Sequence, residues 1–110
     1  MTGRYYDFDG EPITVEEWTA LYDARFSEIA LTPQAAARWR VGYDDLGEMS
    51  VSTVWIGLNL RCGDGPPLIF ETLVQGGPLN GEIGRYSTAG AAAAGHARWV
   101  ALCRAKQALR

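Results

Sequence analysis

The run from Glu48 to Leu60 constrains this chain most. Val51, Thr53, Val54, Trp55 and Ile56 are β-branched or aromatic, side chains that suit a pleated, half-buried surface better than a helix. The middle of the run is apolar on both faces, so it predicts a central strand with a neighbour on either side. Arg61–Pro67 is a glycine- and proline-rich loop, and Leu68–Gln75 reads as the partner strand. On the other side, Arg38–Tyr43 alternates, with Trp39, Val41 and Tyr43 on one face. The turn Asp44–Gly47 then leads into the central strand. A second glycine-rich loop spans Gly76–Gly84, and Arg85–Tyr86 adds a short strand end.

Helix signals flank this block. Thr14-Val15-Glu16-Glu17 is a capping box in which the Thr14 hydroxyl and the Glu17 carboxylate satisfy each other's backbone N–H groups. Apolar spacing then predicts a helix over about 15–25, burying Val15, Trp18, Leu21 and Tyr22. Ser27–Thr32 reads as a strand with Ile29 and Leu31 alternating, broken at Thr32-Pro33. The last helix runs from Ala89 to about Gln107, capped by Ser87 or Thr88, with Ala92, His96, Trp99, Val100 and Cys103 facing inward. Ahead of everything, Asp9-Gly10 suits a tight hairpin turn, and Pro12 confines the return arm to an edge. Strands that follow one another, with helices at two places, predict an α+β fold. The expected form is one domain over 1–110, an antiparallel sheet of about 4–5 strands covered by two α-helices.

Composition narrows function. Hydrophobic residues make up 47% of 110 residues, enough for a packed core. The net charge is -3, which disfavours non-specific nucleic-acid binding. Acids crowd residues 1–48 and bases dominate residues 49–110, a pattern that fits helix electrostatics or a bipolar surface that steers a charged partner. No apolar run spans a membrane and the N-terminus has no apolar signal core, so the expected location is the cytoplasm and no membrane partner is expected. One His and two Cys leave too few ligands for a zinc site of the usual kind, and no metal or cofactor is expected. Cys62 and Cys103 are expected as free thiols, Cys103 in the core and Cys62 in a loop.

Individual candidates carry two readings each. His96, on an inward helical stripe, reads as a core residue with its N–H satisfied, or as a general base. Glu71 reads as a solvent-facing residue paired with an Arg such as Arg85, or as a carboxylate at the floor of a ligand site. Trp39 sits between Arg38 and Arg40. That triplet has the composition of a protein contact hot spot, and equally that of a strand with a buried indole. Arg61 and Asp64 belong to the first glycine-rich loop, a plausible contact surface on a rigid scaffold. Arg38, Arg40, Arg61 and Arg85 could meet phosphates, with Trp39 or Tyr86 stacking on a base.

Three blocks taken together are more specific than any one: Val51-Ser52-Thr53-Val54-Trp55-Ile56-Gly57-Leu58, Gly65-Pro66-Pro67-Leu68-Ile69-Phe70-Glu71-Thr72-Leu73-Val74, and Arg85-Tyr86-Ser87-Thr88 with Gly95-His96. With Gly10-Glu11-Pro12-Ile13 near the start, the chain resembles a family of small bacteriophage and prophage proteins common in actinobacteria. The resemblance covers residues 5–22 and 50–100. An Asp-His pair often follows the Gly-Leu of that family's central strand. Here Asn59-Leu60 stands instead, and Ala89-Gly90-Ala91 replaces the acidic residues that often follow Tyr-Ser-Thr. The stretch 33–47 is longer than usual.

The resemblance implies a setting, not a mechanism. Together with the missing catalytic set, it leads to the expectation of a non-catalytic phage protein that binds a host component as a counter-defence inhibitor. The alternatives are a protein that sequesters a nucleotide signal and a small hydrolase using His96 and Glu71. A homodimer is compatible with the sequence.

Overall fold

The computed structural model describes residues 4–31 and 39–109. An N-terminal hairpin pairs β1 (Tyr5–Tyr6) with β2 (Pro12–Ile13), then come α1 (Val15–Leu31), β3 (Arg40–Asp45), β4 (Ser50–Trp55), β5 (Phe70–Gln75), β6 (Ile83–Tyr86) and α2 (Ala89–Ala108). Strands β3-β4-β5-β6 form an antiparallel sheet in sequence order, which leaves β4 and β5 interior as the apolar run of β4 requires. The architecture is α+β, with two helices and antiparallel sheets of two and four strands among the described residues. None of the described helices is long and apolar enough to cross a membrane.

The helix starts follow their caps. Thr14 Oγ1 accepts from Glu17 N, and Glu17 Oε1 accepts from Thr14 N, both at 3.1 Å. Thr88 Oγ1 accepts from Ala91 N and opens α2. Several expectations need correction. The first helix does not stop near residue 25: it continues to Leu31, so Ser27–Leu31 are helical, not a strand. Alternation in so short a segment cannot outweigh continuation of a helix already nucleated by its cap. Thr32–Arg38, which include the Thr32-Pro33 break and the first strand residue, lie outside the described residues. Val15 is exposed, because it occupies the first turn beside the cap. The nine-residue loop is shorter than expected, since Ile83 and Gly84 already belong to β6.

A β-bulge corrects the third strand. Arg40 pairs with Val54 and Gly42 with Thr53, leaving Val41 as the inserted residue. The insertion reverses the alternation after Arg40. Trp39 is therefore buried against Trp55 (ring centroids 5.2 Å apart), whereas Tyr43 points to the opposite face and is half exposed.

Helix α2 packs across β3, β4, β5 and β6. Beneath it the core divides into two apolar clusters. One gathers Trp39, Trp55, Ile69, Phe70 and Ala92 with Tyr6, and α1 contributes Trp18, Leu21 and Tyr22 to its margin. The Trp18 indole N–H ties α1 to the end of β4 by donating to Ile56 O at 3.0 Å. The other cluster gathers Met49, Val51, Val74 and Cys103. Between the two lies a polar layer.

Candidate functional site

The strand register builds that layer. Along the helix-facing side of β4 the order is Val51, Thr53, Trp55; along β5 it is Val74, Thr72, Phe70. Thr53 pairs with Thr72 across the strands, Gly42 flanks Thr53 on β3, and Gly84 flanks Thr72 on β6. One row of the sheet thus reads Gly, Thr, Thr, Gly. The glycines make room: a Cβ on Gly42 would lie 2.7 Å from His96 Cδ2, and one on Gly84 would lie 2.7 Å from Trp99 Nε1 and against the Tyr86 phenol. Gly95 on α2 is also pressed against the Tyr86 ring, so helix and sheet close over that side chain.

Five side chains form a continuous chain across this row. Asp44 Oδ1 lies 2.8 Å from His96 Nε2, and His96 Nδ1 lies 2.7 Å from Thr53 Oγ1. Thr53 and Thr72 share a short hydroxyl–hydroxyl bond of 2.5 Å, and Thr72 Oγ1 lies 3.1 Å from the Tyr86 hydroxyl. Thr53 and Thr72 are fully buried and His96 is 8% exposed, while the Asp44 side chain is 38% exposed. The ends of the chain reach two surface depressions on either side of α2. One, of about 410 Å³, is lined by Asp44, His96, Val100 and Arg104. The other, of about 350 Å³, is lined by Tyr86, Arg98, Trp99 and Leu102.

Carboxylate, imidazole and hydroxyl in this order are the parts of an activated nucleophile. The hydroxyl, however, has no exposed surface and already bonds two neighbours. A reacting carbonyl has no place to sit within reach of Thr53 Oγ1. What the arrangement does is satisfy every buried polar group in the layer and pin β3, β4, β5, β6 and α2 to one another.

The sequence-derived candidates disperse around this layer. His96 and Tyr86 belong to it. Glu71 and Arg85 do not: they pair on the opposite face of the sheet, with Arg85 Nε 3.2 Å from Glu71 Oε2, so Glu71 and His96 do not meet. Arg40 lies on that same opposite face with its guanidinium 5.0 Å from the Tyr43 ring centroid. Trp39 is 2% exposed and belongs to the core. Arg61 Nε donates to Pro66 O at 2.6 Å within its own loop, and Asp64 is exposed at the loop tip. Arg38 lies outside the described residues. Among the described residues no cluster of three or more His, Cys, Asp or Glu side chains is placed to hold a metal ion.

Sequence reasoning missed Asp44, Thr53 and Thr72. The available signal was two threonines at inward positions of otherwise apolar strands, opposite a helix whose inward stripe carries the single histidine.

The face of the sheet away from α2 is different in kind. Arg40, Tyr43, Val54, Glu71, Ile83 and Arg85 alternate onto it. Among the described elements, α2 is the one that packs across all four strands, and it covers only the other face. Tyr43 and Ile83 are 51% and 46% exposed. No known family matches this chain, and no curated protein and no solved structure matches it either.

Proposed function

We propose that this protein is a non-catalytic binding module that engages another protein through the face of its four-stranded sheet that lies away from α2. The observation that carries the reading is that this face presents Tyr43 and Ile83 to solvent on its two edge strands, in the row next to the one that holds Arg40 and the Arg85–Glu71 pair. Aromatic and arginine side chains around an apolar centre are the composition of protein contact surfaces. The buried state of Thr53 supports the non-catalytic half of the reading, because the hydroxyl beside the imidazole has no access to substrate. In the phage or prophage setting that the sequence resemblance implies, the partner is a component of the host cytoplasm, with defence factors the first to examine. The nucleotide-sequestering alternative has less to stand on: Trp39 is buried, and Arg61 and Arg85 each already have a partner.

The test begins with capture from host lysate and continues with the captured protein purified and titrated directly. Binding that weakens by about tenfold or more in a Tyr43→Arg, Ile83→Arg double variant, with unchanged circular dichroism, supports the reading. A partner that binds the double variant as tightly as wild type, or no captured protein across several hosts, refutes it.

A further inference from the structure

The side chains of the polar layer have a proton count that fixes how they can bond. Each of Thr53, Thr72 and Tyr86 has one hydroxyl hydrogen. Each inner hydroxyl has two neighbours in the chain, so it donates to one and accepts from the other. The chain therefore has a direction, and that direction is decided at His96. The Asp44 carboxylate only accepts, so His96 Nε2 carries a hydrogen in either state of the ring.

When the ring is neutral, Nδ1 has no hydrogen and accepts from Thr53. Thr53 then accepts from Thr72, and the Thr72–Tyr86 bond, in which the structure has Thr72 donating, must turn round so that Tyr86 donates. When the ring is protonated, Nδ1–H donates to Thr53. Thr53 then donates to Thr72, Thr72 donates to Tyr86, and the Tyr86 hydrogen is released from the chain. We propose that these five side chains form a proton-responsive relay in which the charge on His96 sets whether the Tyr86 hydroxyl, at the far edge of the sheet, donates inward to Thr72 or offers its hydrogen to the cleft beside Arg98 and Trp99.

The charged and titratable groups around His96 are few. From β3 it faces Asp44, and β4 and β5 supply only the hydroxyls of Thr53 and Thr72. From α2 itself Arg104 lines the same depression, and from β6 Tyr86 ends the chain. In the cleft, Tyr86 and the Trp99 indole nitrogen converge over Gly84, whose missing Cβ leaves the space. A ligand that presents an acceptor there, such as a carboxylate or phosphate oxygen, gains a third donor when His96 is charged. By linkage its binding then favours proton uptake at His96.

Nuclear magnetic resonance of the free protein tests the relay without a ligand. His96 is the single histidine, so its ring nitrogens are read unambiguously in a 15N-histidine sample. The Tyr86 Cζ resonance is assigned in a 13C-tyrosine sample with Tyr86→Phe. The expected result is a neutral ring with hydrogen on Nε2 alone, and a Tyr86 Cζ shift that moves with the same midpoint as His96. Thr72→Val keeps the His96 titration and abolishes the Tyr86 response, while Thr72→Ser restores it. A Tyr86 resonance that stays flat through the wild-type His96 titration overturns the relay, as does a neutral ring carrying its hydrogen on Nδ1. A response that persists in a folded Thr72→Val protein also overturns it. The wild-type titration alone decides the matter should the valine variant fail to fold.

Discussion

The imidazole of His96 lies flat against the backbone of Gly42, so close that a methyl group on Gly42 would sit 2.7 Å from Cδ2 and 2.8 Å from Nε2. Nothing about the Gly42 backbone demands glycine, since its φ is not positive. The residue is there for space. Gly42→Ala must push the ring away from both Asp44 and Thr53. We expect a loss of about 1–3 kcal/mol in urea denaturation, the usual range for overpacking a closed site. A neutral effect would show that the ring has room to move.

Thr53 and Asp44 flank the same ring yet should differ in weight. Thr53→Val keeps shape but leaves His96 Nδ1 and the Thr72 hydroxyl short of a partner in a fully buried layer. Such a change costs about 1–3 kcal/mol. Asp44→Ala removes a carboxylate that is 38% exposed, and water can take its place at Nε2, so its cost stays below about 1 kcal/mol. Denaturation midpoints for the two variants, measured at one pH, should rank Thr53→Val as the more damaging.

The strands and α2 were readable because their signals are local. Branched and aromatic runs, the Thr88 cap and the inward stripe through His96 each depend on neighbours a few residues away. The bulge at Val41 was not readable. It depends on which residue of β4 lies opposite, and one inserted residue sends Tyr43 outward although it keeps perfect alternation in sequence. The relay was hidden for the same reason: Asp44 and His96 are 52 positions apart, and Thr53 and His96 are 43 apart. The extension of α1 to Leu31 escaped because Ile29 and Leu31 fit a strand pattern as well as a helical one.

The two cysteines should separate cleanly in reactivity. Cys62 is exposed and free, whereas Cys103 is fully buried beside Met49, Val51 and Val74, and burial pushes its thiol above the ordinary value of 9.0. Iodoacetamide should modify Cys62 in the native state and reach Cys103 only as the protein opens. The raised thiol also carries a sign. The buried group favours the folded state while it is neutral, so its contribution is intact below 9.0 and is lost as pH rises through the higher folded value. The stability gap between wild type and Cys103→Ala should therefore narrow toward alkaline pH. A gap that widens there would contradict burial of the neutral thiol.

The sheet face away from α2 makes a prediction about stability that is independent of any partner. Tyr43 lies opposite Ser52 and Ile83 opposite Leu73. Both project away from the core that α2 covers, and about half of each side chain's surface meets water. Threonine keeps the strand preference at these positions while removing most of the apolar surface. Tyr43→Thr and Ile83→Thr should each leave the unfolding free energy within about 0.5 kcal/mol of wild type, as surface changes away from caps and core do. Their joint effect should be additive, because β4 and β5 lie between the two positions. A loss of about 2 kcal/mol or more at either site would mean that the face is packed in the free protein. The same face could then not be the one that receives a partner.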